Sequence, residues 1–200
     1  MMLINPFMVA PAIPASTKIL MPFTTTSGFT DIANNHAITV VGSPTIATLS
    51  GVFDDGALLV SPTSYIKVDS TPTLNLGAKV PFTIEFDVYI TIDTYPAGIL
   101  SMRDSNVYCP FIINMGGSLI GNDALNAFSG IAASIPLNTK TRVKLVGDGT
   151  NITEYINGVA SATRAHSNWS SIDRFLTIGH DFSGSMTGYI SNFRFSNVAL

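Results

Sequence analysis

Cysteine is almost missing from this chain: Cys109 is the only one in 200 residues. A lone thiol excludes an internal disulfide, so stability must come from packing. A chain made in a reducing cytosol needs no such bridge. Charge is scarce as well. Asp, Glu, Lys and Arg make up 12% of the sequence, where ordinary domains carry about 25%. The 10 basic and 13 acidic residues leave a net charge of −3 with no basic stripe, so nucleic acid is not an expected partner. Hydrophobic residues nonetheless reach 46%, and mean hydropathy is +0.36. No apolar run approaches the ~20 residues that a membrane helix needs, because Ser, Thr, Asn, Gly and Pro interrupt each one. No membrane partner is expected. Helical periodicity is also lacking throughout.

The opening stretch MMLINPFMVAPAIPAS (1–16) is apolar and proline-rich. A secretory leader wants a positive start and an unbroken apolar helix. Here the first basic residue is Lys18, and Pro6, Pro11 and Pro14 break any helix, so no signal peptide is expected. The prolines favour an extended arm. Disordered tails are usually polar and charged; this one is neither. Ile4, Pro6, Phe7, Met8, Val9 and Ile13 are therefore the residues expected to bury against a partner. A weakly charged surface points the same way, toward association with other chains or with copies of itself.

From residue 17 the period changes to two. TKILMPF (17–23), ALLV (57–60) and YIKV (65–68) read as strands, the last two split by the turn signal SPTS. In FTIEFDVYI (82–90), Phe82, Ile84, Phe86, Val88 and Ile90 point one way, while Thr83, Glu85, Asp87 and Tyr89 point the other. GILSMR (98–103), FIINM (111–115) and SLIG (118–121) continue the pattern. RVKLVGDGTNITEYINGVASAT (142–163) reads as a three-strand meander, with turns at Gly147-Asp148-Gly149 and Asn157-Gly158. FLTIG (175–179) and GYISNFRFS (188–196) are two closing strands. In the second, simple alternation puts Tyr189, Ser191, Phe193 and Phe195 on one face. Many short strands with regular turns predict an all-β, two-sheet antiparallel sandwich or jelly roll over 17–200, behind an extended arm at 1–16.

Phe82 to Val88, Tyr155 to Gly158 and Gly188 to Phe195 resemble the concanavalin A-like, laminin-G-like lectin/glucanase jelly roll. That family shows FTIEFWV, a Y-x-[ND]-G hairpin and a closing G-x-I-[DS]-[DN]-[FIV]-R-[IF]. The resemblance covers about residues 17–200 and implies fold more than function, because many functions share this sandwich. The layout also resembles small virion proteins of tailed phages, which often begin with INP[YF], here Ile4-Asn5-Pro6-Phe7. That resemblance implies a capsid decoration, neck, tail or fibre component. Such a protein would be made in the host cytoplasm, held by its arm to other virion proteins, and would expose a lectin-like knob. The alternative is a carbohydrate-binding module for a cell-surface glycan.

Glucanases of the resembled superfamily carry E-x-D-x-(x)-E on a strand, and retaining chemistry needs two carboxyl groups ~5–5.5 Å apart. Glu85 and Asp87 match the start, but the second glutamate is replaced by Tyr89 or Ile90. No catalytic residue is assigned, and the pair is expected on the open face of a sheet. For a glycan, Trp169 in the polar stretch HSNWSSID and the acid Asp181 are the candidates; the competing reading of Trp169 is a cap on the core edge. No cofactor is expected. Asp54-Asp55-Gly56, Asp148-Gly149-Thr150-Asn151 and His180-Asp181 offer oxygens to calcium, but Asp-Gly pairs are more often plain turns. His36, His166 and His180 have no zinc spacing.

Overall fold

The computed structural model describes residues 12–77, 79–92, 98–102, 111–114, 117–122, 127–131, 134–166, 169, 174–181 and 184–200. Of the arm residues singled out above, Ile4, Pro6, Phe7, Met8 and Val9 lie outside this set. Among the described residues the helical content is one 3₁₀ turn, Pro72–Leu74.

The strands of the N-terminal half are β1 (Thr17–Met21), β2 (Ile38–Val41), β3 (Thr45–Leu49), β4 (Phe53–Val60), β5 (Tyr65–Thr71), β6 (Phe82–Ile92) and β7 (Gly98–Ser101). Next come β8 (Phe111–Asn114), β9 (Gly117–Asn122), β10 (Ala127–Ile131), β11 (Thr141–Gly147), β12 (Asn151–Ile156) and β13 (Val159–Ala165). β14 (Arg174–Ile178), the two-residue pieces β15 (His180–Asp181) and β16 (Gly184–Ser185), and β17 (Thr187–Ser196) complete the chain.

They form two sheets. The first has the order β13-β12-β11-β6-β17-β4-β3, with β1 also paired to β17. The second runs β10-β9-β8-β7-β14-β5-β2, with β15 and β16 at its side. All strand pairs are antiparallel apart from the single β16–β7 contact. The meander β11–β12–β13 follows the turns read in the sequence. Its neighbour β6 comes from far earlier in the chain, and β17 sits between β6 and β4.

Strand period two decides what is inside. Phe82, Ile84, Phe86, Val88 and Ile90 of β6 are all fully buried. Val143 and Leu145 of β11 continue the same inner surface, directly opposite Phe86 and Ile84. From the second sheet, Ile66 and Val68 pair with Ile178 and Leu176, and all four are buried. Each such side chain withdrawn from water stabilises the fold by about 1.5–3 kcal/mol.

β17 departs from simple alternation. Tyr189 stands opposite Tyr89, Ile190 opposite Val88 and Ser191 opposite Asp87, but the register then slips so that Arg194 faces Glu85 and Phe195 faces Ile84. Tyr189 and Phe193 therefore do not share a face, as alternation had predicted. Ile190, Phe193 and Phe195 are the buried hydrophobic residues of the strand. The cause is a β-bulge at Asn192, whose φ of 53° is left-handed, a conformation that asparagine tolerates better than most residues. Its backbone N–H donates to the Pro22 carbonyl at 3.3 Å, and Ser191 Oγ donates to the same oxygen at 3.0 Å.

Candidate functional site on the open face of the first sheet

The outward residues of β6 meet their neighbours in cross-strand rows. One row is Arg142–Asp87–Ser191, the next Lys144–Glu85–Arg194, and beyond Asp87 lies the pair Tyr89–Tyr189. Glu85 and Asp87 thus stand on the open face, as the alternation predicts. Arg142 reaches both: Nη2 lies 3.1 Å from Glu85 Oε2 and Nη1 lies 3.3 Å from Asp87 Oδ1. Arg194 Nη1 approaches the other oxygen of Glu85 at 3.3 Å. The bulge aims Asn192 back across the strand, where its Nδ2 donates to Asp87 Oδ2 at 2.9 Å. The two carboxylates are hence engaged by guanidinium and amide groups of the sheet itself. Of the two positions where the glucanase motif would place its second glutamate, Tyr89 packs edge-on against Tyr189 at 6.4 Å and Ile90 is fully buried.

Beside these rows a cleft of about 240 Å³ opens between the start of β4, the loop before β11 and the bulge. Phe53, Asp54, Asp55, Lys140, Ser191 and Asn192 are among its walls. Phe53 lies 6.3 Å from Tyr189, so three aromatic rings run from the open face into the cleft. Lys140 Nζ lies 4.6 Å over the Phe53 ring and donates to the Val52 carbonyl at 2.9 Å. Asp54 and Asp55 are exposed, and Asp54 Oδ1 accepts from the Gly51 N–H at 2.8 Å. Tyr89 and Tyr189 are half-buried. The arrangement offers carboxylate acceptors, an amide and a hydroxyl next to partly open aromatic surface, the usual makings of a small-ligand site.

The residues proposed for a glycan from sequence sit elsewhere. Trp169 is 3% exposed and packs at the core edge, 4.6 Å from the His166 ring and 5.7 Å from Phe82. Its indole has no open face for a sugar. Asp181 is also 3% exposed and accepts from Ser101 Oγ at 3.0 Å. Ile13, the one arm candidate within the described residues, is 39% exposed. Of the calcium candidates, Asp148 binds the Thr150 and Asn151 amides at 2.7 and 2.6 Å, closing an Asx turn. Among the described residues no three His, Cys, Asp or Glu side chains converge as a metal site would require.

One serine–histidine contact invites an enzymatic reading. His180 Nδ1 lies 2.5 Å from Ser185 Oγ, with the imidazole stacked 4.1 Å from Tyr65. Ser185 Oγ donates to the Pro62 carbonyl at 3.1 Å. With that proton committed, the contact leaves Nδ1–H to donate to Oγ, so the imidazole is not poised as a base for the hydroxyl.

No protein-family model matches the chain, and no curated protein matches it. Solved structures do. Domain 4 of AbnA, a GH43 extracellular arabinanase from Geobacillus stearothermophilus, superimposes with a TM-score of 0.68 at 14% identity, over 92% of this chain and 95% of that domain. The chain folds as an all-β, two-sheet jelly-roll sandwich. The AbnA domain was solved in complex with arabinotriose. Similar jelly-roll matches are the botulinum neurotoxin serotype D binding domain, with a TM-score of 0.70 at 14% identity, and the binding domain of Paraclostridial Mosquitocidal Protein 1, with 0.69 at 15%. Each of these covers 92% of this chain, which spans about half of either toxin domain, 48% and 49%.

Sequence reading found Glu85 and Asp87 but missed the cleft. Its walls come from residues near 53, 140 and 191, and nothing local in any of those segments announces the others.

Proposed function

We propose that this jelly-roll domain is a non-enzymatic carbohydrate-binding module, which holds a neutral, hydroxyl-rich glycan in the cleft beside Tyr189. The observation that carries the reading is the row Tyr89–Tyr189–Phe53 leading into a cleft walled by Asp54, Asp55 and Asn192. The half-buried Tyr89 and Tyr189 supply an apolar surface for a sugar ring, backed by Phe53, which is itself only 4% exposed, and the carboxylates and amide suit its hydroxyls. The nearby cations are already engaged: Arg142 and Arg194 by Glu85 and Asp87, and Lys140 by the Val52 carbonyl. Asp54 and Asp55 are left exposed, which disfavours an acidic sugar. The arabinotriose bound to the similar AbnA domain supports the same class of ligand. The toxin domains add less, because this chain spans only about half of each.

Isothermal titration with arabinotriose and a panel of neutral oligosaccharides tests the reading. Binding is expected to weaken on Tyr189→Ala, which removes an aromatic contact worth about 0.5–1.5 kcal/mol, or roughly two- to tenfold in Kd. Failure of every neutral glycan to bind would overturn the proposal.

A second reading concerns the arm. Its apolar sequence and the exposed Ile13 support attachment of the domain to a larger assembly or to its own copies, compatible with glycan binding at the opposite task of recognition. The solved structures named above give a virion setting no support.

A further inference from the structure

His166 plays no part in the glycan reading, and its surroundings are unusual for a titratable group. It follows β13 directly, and its backbone N–H donates to the Thr150 carbonyl at 2.8 Å. That bond carries the chain across the β11–β12 turn and onto the start of β6. The residue is 4% exposed. Its ring meets Phe82 edge-on at 5.9 Å and Trp169 at 4.6 Å. Phe82 in turn stacks on Phe111 at 6.5 Å. Both ring nitrogens are buried, and neither has a hydrogen-bond partner among the described residues.

An imidazole in such a place is tolerated only as the neutral ring. Protonation would put a full charge, with two unpaired N–H donors, against the Phe82 and Trp169 rings, a penalty relieved only if the group moves to water. We propose that His166 and Trp169 form an acid-released latch: protonation of the imidazole expels it from the Phe82 surface and uncovers the indole. Among the described residues, two charged groups act on the ring. Asp148, in the exposed β11–β12 turn, favours the cation, and Lys79, in the loop leading to β6, opposes it. Arg164, two residues earlier on β13, is exposed. Burial is the largest influence and pushes the imidazole below its ordinary value of 6.5, so Asp148 does not compensate.

The sign follows from linkage. A base whose folded value lies below its unfolded one adds nothing adverse above 6.5. Stability then falls as the pH drops from there toward the folded value, because the released form binds the proton more readily. The latch is closed at neutral pH and opens on mild acidification.

The chain has a single tryptophan, so its emission reports the latch alone. A titration of the full-length protein from neutral to mildly acidic pH should shift the emission reversibly to the red, at a midpoint below 6.5, while far-UV circular dichroism stays constant. His166→Phe, which cannot titrate, should abolish the shift. Should that variant fail to fold, His166→Gln and an NMR titration of the native imidazoles replace it. Constant emission across the range, or a shift that survives in a folded non-titrating variant, overturns the latch.

Discussion

Asp31 shows how one side chain can organise a loop. It is 1% exposed, yet its carboxylate accepts from the amides of Leu20 at 2.8 Å, Ala33 at 3.0 Å, Asn34 at 3.3 Å and His36 at 3.2 Å, and contacts His36 Nδ1 at 2.7 Å. His36 Nε2 then reaches Thr73 Oγ1 at 2.9 Å, tying the loop to the segment after β5. Burial pushes the Asp31 carboxyl upward, but the Leu20 amide, His36 and the Ala33 amide together outweigh it and hold the group below its ordinary 3.8. A depressed carboxyl stabilises the fold above its unfolded value and loses that contribution as the pH falls through the folded one. Asp31→Ala strands several part-buried donors, so chemical denaturation at neutral pH should show a loss of about 1–3 kcal/mol. The gap between variant and parent should narrow below pH 3.8. An unchanged midpoint at neutral pH would show that water satisfies those amides equally well.

At the scale of elements, close approach matters more than charge. β11 ends at Gly147, and a Cβ there would overlap the Phe82 ring. Gly147→Ala must therefore displace a fully buried aromatic or bend the strand, at a cost of about 1–3 kcal/mol. Thermal unfolding should register that as a lower Tm with little change in far-UV circular dichroism. The strands most legible in the sequence were those with one buried face, such as β6 and β11, or with a clear turn signal beside them, as for the largely exposed β13. β6 and the meander β11–β12–β13 show clear alternation or an Asn-Gly turn. β2 and β3 were not read because each is an edge strand whose burial lacks strict alternation. The bulge in β17 escaped for another reason: alternation counts residues, and Asn192 adds one that the partner strand does not match. For Trp169 the polar neighbours left two readings open, and its burial against Phe82 matches the cap on the core edge rather than the exposed sugar platform.

At the scale of the whole molecule, the sandwich buries one common apolar core among its described residues. Its described hydrogen bonds begin at Pro14, whose carbonyl accepts from Thr17 N–H at 2.8 Å, and Ser16 accepts from Asn197 N–H at 3.1 Å. If the arm serves attachment rather than the core, removing residues 1–11 should leave the melting temperature and the cooperativity of unfolding unchanged, measured by calorimetry. If the arm has the attachment role proposed for it, gel filtration should show a loss of assembly in the same truncated chain. A large drop in Tm would instead make the arm part of the core.

The pairing of β17 with β6, β4 and β1 also governs how the protein is made. On the ribosome, β1, β4 and β6 emerge long before β17, so the edges it will pair with wait unfilled until residues 187–196 have been made. Contacts this distant in sequence close slowly, and bare edges meanwhile invite nascent chains to pair with one another.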